Sequence, residues 1–142
     1  MEKRKLQSLE KAGEIIQEEE REVKEELAKI QDYILNLQRK VAEINEEVDN
    51  WTKKLENRTL TADELAEILQ YTTQLSLKAQ ELLKKISEAE EKERELKEVL
   101  SEKIKMEISI NSVKKKLKEK MSSEERAKET RELDEYTRIK RW

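Results

Sequence analysis

The 142-residue chain has no cysteine, no histidine, no proline and no phenylalanine, and only one glycine. Without cysteine there is no disulfide framework and no thiol nucleophile, which fits a reducing cytoplasm. Without histidine as well, it lacks an acid–base pair tuned near neutrality and a transition-metal ligand set. One glycine cannot build a phosphate-cradling loop. Carboxylates are abundant, but they are spread along convex helical faces with no concave site to shift their pKa values. Serine and threonine have no base beside them. The expectation is a protein that is not an enzyme, holds no cofactor or metal, and works by presenting surfaces. Long hydrophobic runs are missing too, so neither a signal peptide nor a membrane-inserted helix is expected. Charge of one sign is not in excess: 31 Lys and Arg against 34 Asp and Glu leave −3. Nucleic-acid binding, which leans on a large basic surplus, is therefore not expected.

Charged residues make up 46% of the chain and hydrophobic ones 35%, with 4% aromatic. That is little for a globular core, and disorder is the competing reading. Placement decides between them. Every seventh residue from Leu6 reads Leu6, Gly13, Glu20, Leu27, Ile34, Val41, Val48, Leu55. Every seventh from Leu9 reads Leu9, Ile16, Val23, Ile30, Leu37, Ile44, Trp51. The two series interleave as the a and d positions of a heptad, broken only at Gly13 and Glu20. A helix with one narrow apolar seam must bury it against another helix.

The first helix is expected over about residues 3–56 and a loop over about 57–61. Asn57-Arg58-Thr59 spells a glycosylation sequon, discounted in a chain with no secretory signal. Thr61-Ala62-Asp63-Glu64 is a capping box and opens a second helix at about 62. Its seam reads Leu65, Ile68, Thr72, Leu75, Ala79, Leu82, Ile86, Ala89, Glu93, Leu96. Two long helices joined by a short loop fold back antiparallel, with partner numbers summing to about 120. The predicted fold is all-α: an antiparallel two-helix coiled-coil hairpin, closed by Trp51, Leu55, Leu65 and Ile68 near the loop. The second helix is expected to about 121. A tail over about 122–142 then overhangs, helical or partly frayed, with Leu133 and Tyr136 on one face. Ser122-Ser123 could mark a kink or a fresh cap.

Two features admit alternatives. Gly13 is either a tolerated weak point, costing about 1 kcal/mol against alanine, or a close approach by a partner helix. Past Leu96 the seam is expected to slip and continue through Met106, Ile110, Val113 and Leu117, rewinding the supercoil locally. Ile104 and Ile108 then widen the apolar face, either to repair packing near Gly13 and Glu20 or to take a third helix or another copy. Charge also clusters. Lys3, Arg4 and Lys5 sit opposite Lys114, Lys115, Lys116, Lys118 and Lys120, giving a basic open end. This is either a solvated face or a dock for acidic groups.

The hairpin with its polar loop, the run Leu60-Thr61-Ala62-Asp63-Glu64-Leu65, then Ile68, Tyr71, Leu75 and Leu82, and the late segment Glu129-Thr130-Arg131-Glu132-Leu133-Asp134-Glu135 together resemble the FliJ family of the bacterial flagellar type III export apparatus. The resemblance covers nearly the whole chain on short motifs. The chain departs from many relatives in lacking phenylalanine near its N-terminus and in carrying Tyr71 at the second-helix aromatic. Membership implies a central stalk, like that of rotary ATPases, in the hole of a hexameric export ATPase, promoting its assembly and turnover. It also implies a link to the cytoplasmic domain of the membrane export gate, with escort of export chaperones as a further role. The gate-facing residues would be Tyr71, Leu75, Lys78 and Leu82, and the ATPase-facing residues Lys114 to Lys120. Leu75 and Leu82 are also seam positions, so the two assignments conflict. The expected place is the cytoplasm, peripheral to the inner membrane at the export apparatus, and the expected state is a monomeric hairpin. The alternative is a self-associating scaffold with Ile104 to Ile110 as its contact face. A membrane-surface helix is disfavoured, because the basic face has no bulky aromatic face opposite it.

Overall fold

The computed structural model describes residues 1–56 and 59–140. Asn57, Arg58, Arg141 and Trp142 lie outside the described residues, and with them most of the expected loop and the sequon. Of the described residues, 97% are helical. Helix α1 runs from Glu2 to Glu56 and helix α2 from Ala62 to Lys140. Among the described residues there is no strand. The start of α2 is capped as its sequence requires: the Glu64 backbone N–H donates to the Thr61 hydroxyl at 3.2 Å, and the Leu65 N–H to the Thr61 carbonyl at 3.0 Å.

Contacts divide the chain into two compact units. One is Lys24–Glu98, an antiparallel helix pair joined by the turn. Its core is Ile34, Leu37 and Ile44 from α1 with Ala79, Leu82, Ile86 and Ala89 from α2. Ile30, Val41, Val48 and Leu75 pack against that cluster. Ala79 and Ala89 flank the larger Leu82 and Ile86, and the small side chains at those two positions leave room for the big α1 residues. Each large side chain buried this way contributes about 1.5–3 kcal/mol. Leu27, Trp51, Leu55 and Ile68 are half-buried. Leu65 is not sealed: it is 42% exposed, because it stands in the first turn of α2, where the helix pair ends.

The other unit is Met1–Val23 with Val99–Trp142. Its helices also run antiparallel, as shown by Glu2 against Lys120 at 3.2 Å, Gln17 donating to Glu107 at 3.2 Å, and Lys103 against Glu19 at 2.6 Å. The expected register slip does not occur. The half-buried positions are Leu100, Lys103, Glu107, Ile110, Lys114, Leu117 and Met121, which keep the alternating steps of three and four. Met106 and Val113 are about half exposed instead, at 52% and 50%. A slip would strain the supercoil. The unbroken register avoids that by admitting charged residues whose long aliphatic stems lie along the seam while their heads reach solvent or each other. Ile104 and Ile108 do not repair the seam either; both stay on the surface, Ile108 at 63% exposed. The polar residues of the two helices meet each other. Glu20 is buried at 7%, in the stretch where Gln17 and Glu19 pair with Glu107 and Lys103.

Gly13 is buried, with no positive φ. A Cβ there would meet only side-chain atoms, Lys114 Nζ at 3.4 Å and Ile110 Cγ2 at 3.8 Å. No backbone presses on it, so the glycine is a local weakness. Gly13→Ala should raise stability by about 0.5–1 kcal/mol, since it removes the helix penalty without a clash. A urea melt reads this directly, and a destabilised variant would mean the helices pack closer than these distances allow.

Past Ser122 and Ser123 helix α2 continues unbroken, and every residue from 123 to 140 is exposed. Local bonds hold this stretch. Arg126 donates to the Ser122 hydroxyl, and the Thr130 and Thr137 hydroxyls donate to the carbonyls four residues earlier at 2.9 and 2.8 Å. The seam spacing, carried past Met121, falls on Glu124, Lys128, Arg131, Glu135 and Arg138. Of the apolar residues, Leu133 lies on the opposite side of the helix, while Tyr136 and Ile139 come progressively round towards that stripe.

Candidate functional site

Two surfaces stand out, one in each unit. In Lys24–Glu98, Trp51 and Tyr71 meet edge to face with ring centroids 5.5 Å apart. With Leu60, Ile68, Glu64 and Glu67 they line an open hollow of about 440 Å³. Lys54 stands 4.7 Å from the centre of the Trp51 ring. The Tyr71 phenol donates to the Glu47 carboxylate, and that bond, with some burial and the charge of Glu47, raises its pKa. This apolar floor with acidic edges suits a side chain that is apolar and carries a positive charge.

The pKa shift of Tyr71 has a sign that can be tested. The folded value lies above the unfolded one, so its stabilisation is present below the unfolded value near 10 and is lost as pH climbs through the folded value. Tyr71→Phe keeps the ring against Trp51 and removes the phenol. The melting temperature of the wild type should fall more steeply than that of the variant above pH 10. Parallel curves would show that the Glu47 bond is not made in solution.

The four residues expected to face an export gate do not form one surface. Tyr71 and Lys78 are exposed, Leu75 is half-buried, and Leu82 is buried in the core cluster. The seam accounts for both leucines: they occupy d positions, which point at α1.

In the unit of Met1–Val23 with Val99–Trp142, the five expected lysines ring the helix, as residues this close in sequence must. Lys114 is half-buried against Gly13. Lys115, Lys116 and Lys118 are exposed, and Lys120 pairs with Glu2, which raises the lysine pKa and lowers that of the glutamate. Lys116 and Lys120 join Lys5 around an apolar floor of Leu9, Val113 and Leu117, an open hollow of about 320 Å³. Arg4 and Ser8 continue it along α1. The lysines were visible in the sequence, but this floor was not. Its signal was the seven-residue spacing of Val99, Met106 and Val113, which places them together on one flank of the seam.

Among the described residues no helix is long and apolar enough to cross a membrane. No family model matches this chain, and no curated protein or solved structure matches it either.

Proposed function

We propose that the chain is a non-catalytic stalk and adaptor for a flagellar type III export ATPase, promoting assembly of the hexameric ring and coupling it to the membrane export gate. The observation that carries this reading is the basic surface of Lys5, Lys116 and Lys120 on a coiled-coil end with little apolar sealing. An acidic collar inside a ring of subunits is its natural complement. The resemblance of Leu60 to Leu65 and of Glu129 to Glu135 to the FliJ family supports the same reading. On the gate side, the exposed Tyr71 and Lys78 are the contacts, with the Trp51 hollow beside them, while Leu75 and Leu82 act through the fold. Escort of export chaperones belongs to the same reading.

The test is turnover of the export ATPase from the same organism, with and without this chain, alongside sizing of the mixture. Stimulated turnover in a ring-sized complex is expected. Lys115→Glu, Lys116→Glu and Lys118→Glu together should spare the helix content and lower the stimulation by more than about tenfold. Lys114 is left out because it packs on Gly13. Stimulation that survives the triple reversal would leave the basic end a solvated face.

A second reading, a structural scaffold, is favoured by the exposure of Ile104, Met106 and Ile108. In that case the ATPase is indifferent to the chain, and Ile108→Ser disperses an assembly that the wild type forms.

A further inference from the structure

One flank of the unit Lys24–Glu98 carries no charge. The residue that follows each seam position lies on one side of its helix. On α1, from the seam residue Leu27 to the seam residue Ile44, those followers are Ala28, Gln31, Leu35, Gln38, Ala42 and Asn45. On α2 they run from Ala66 to Ser87, with Leu69, Gln80 and Leu83 among them. None of these followers is charged, in a chain whose residues are 46% charged. All of them are exposed, and Leu35, Leu69 and Leu83 are about half open to solvent.

The two helices share this flank. The residue that precedes a seam position lies on the other side of its helix, and there the Tyr71 phenol donates to the Glu47 carboxylate across the pair. With those two sides in contact, the follower sides of α1 and α2 come together on the opposite flank. The Tyr71 flank is charged, with Lys40, Glu43 and Glu47 on α1 and Lys78, Glu81 and Lys85 on α2. The contrast between the flanks is the observation to be explained.

We propose that the uncharged flank is the contact face of a two-fold dimer of this chain. Across a two-fold axis a face meets itself. The amides of Gln31, Gln38, Asn45 and Gln80 both donate and accept, so each finds a match in an identical face, which a carboxylate or an ammonium group does not. A charged flank would set like charges together and strip them of water, and both effects select against it. The half-exposed leucines and the small Ala42 give the face an apolar floor that closes on its copy without steric cost. Its size is sufficient. The strip is roughly 25–30 Å long and two helices, or about 20 Å, wide. Two copies would cover about 1,000–1,200 Å², the lower end of specific contacts, as suits a reversible dimer.

This inference goes beyond the export-ATPase reading and does not depend on it. It replaces the monomer expected from the sequence with a dimer, and it uses none of Lys115, Lys116 and Lys118.

The experiment is sedimentation velocity of the full chain over a wide concentration range, with helix content followed by circular dichroism. The wild type should form a dimer. Gln38→Glu with Gln80→Glu puts two charges on the strip at almost unchanged shape and should weaken the dimer by more than about tenfold. Helix content should not change, since both side chains are exposed. Asn36→Asp with Gln74→Glu adds the same charge to the other flank, at positions equally exposed, and should leave the dimer intact. A chain that stays monomeric at every concentration overturns the proposal. So does a dimer indifferent to the first pair, or one that both pairs weaken alike. An assembly that Ile108→Ser disperses while the strip charges do not also overturns it. ATPase stimulation is read separately, so a failure here is distinct from a failure of that reading.

Discussion

Ile34→Asp should abolish the helix pair of Lys24–Glu98. Ile34 is buried at 8% in the core cluster, which it forms with Leu37 and Ile44 from its own helix and four residues of α2. A carboxylate there cannot keep its hydration, and none of the residues of that cluster is a cation. It must protonate, drag water in, or force the helices apart, at a cost of at least about 3 kcal/mol. A small helical protein has only about 5–15 kcal/mol in hand. The two helices share one seam, so a local breach has no second layer behind it. Thermal melting by circular dichroism should fall by roughly 10–20 °C, with much of the helix signal gone. Because packing of the seam supplies most of the stability of such helices, helix content should fall with the tertiary contact. An unchanged melting curve would mean that the seam runs along another face of α1.

Leu82→Ala should cost about 2–4 kcal/mol and Lys78→Ala less than about 0.5 kcal/mol. The two positions are one turn apart on α2, yet Leu82 is 9% exposed within the core cluster while Lys78 is on the surface. Truncating the leucine removes a side chain that α1 packs on, and Ala79 and Ala89 beside it are too small to fill the space. The contrast decides how a loss of partner binding is read. A Leu82 variant that fails to bind an export gate fails because its hairpin is loosened. A Lys78 variant that fails to bind has lost a contact. Urea melts of both, run beside the binding assay, separate the cases. If Leu82→Ala melted with the wild type, the leucine would be a surface contact after all.

The seam of the first helix was legible residue by residue. Leu27, Ile30, Ile34, Leu37, Val41 and Ile44 are each half-buried or buried in the register that their seven-residue spacing set. Thr61 and Glu64 likewise marked the start of α2 through a local bond that needs nothing from the rest of the chain. Past Leu96 hydrophobicity is a poor guide to the seam. Met106 and Val113 looked like seam residues, while Lys103, Glu107 and Lys114 did not. A helix that is already paired keeps its register unless something breaks it, and long charged side chains tolerate the seam by reaching out of it. Which residue wins a position there is set by the partner helix, and a single helix pattern does not contain the partner.

The sequence by itself determined the fold class. With no proline and one glycine, nothing in it breaks a long helix. Heptad spacing and the cap at Thr61 then made two paired helices the economical arrangement. Only the tertiary structure decided which charged residues converge. It set Lys5 beside Lys116 and Lys120 over Leu9 and Val113, and drew Glu19 to Lys103. The physical reason is range. Backbone period and capping act within a turn or two of helix, whereas a charged flank is made from residues about a hundred positions apart. Their meeting depends on the register between helices, which each helix alone leaves open.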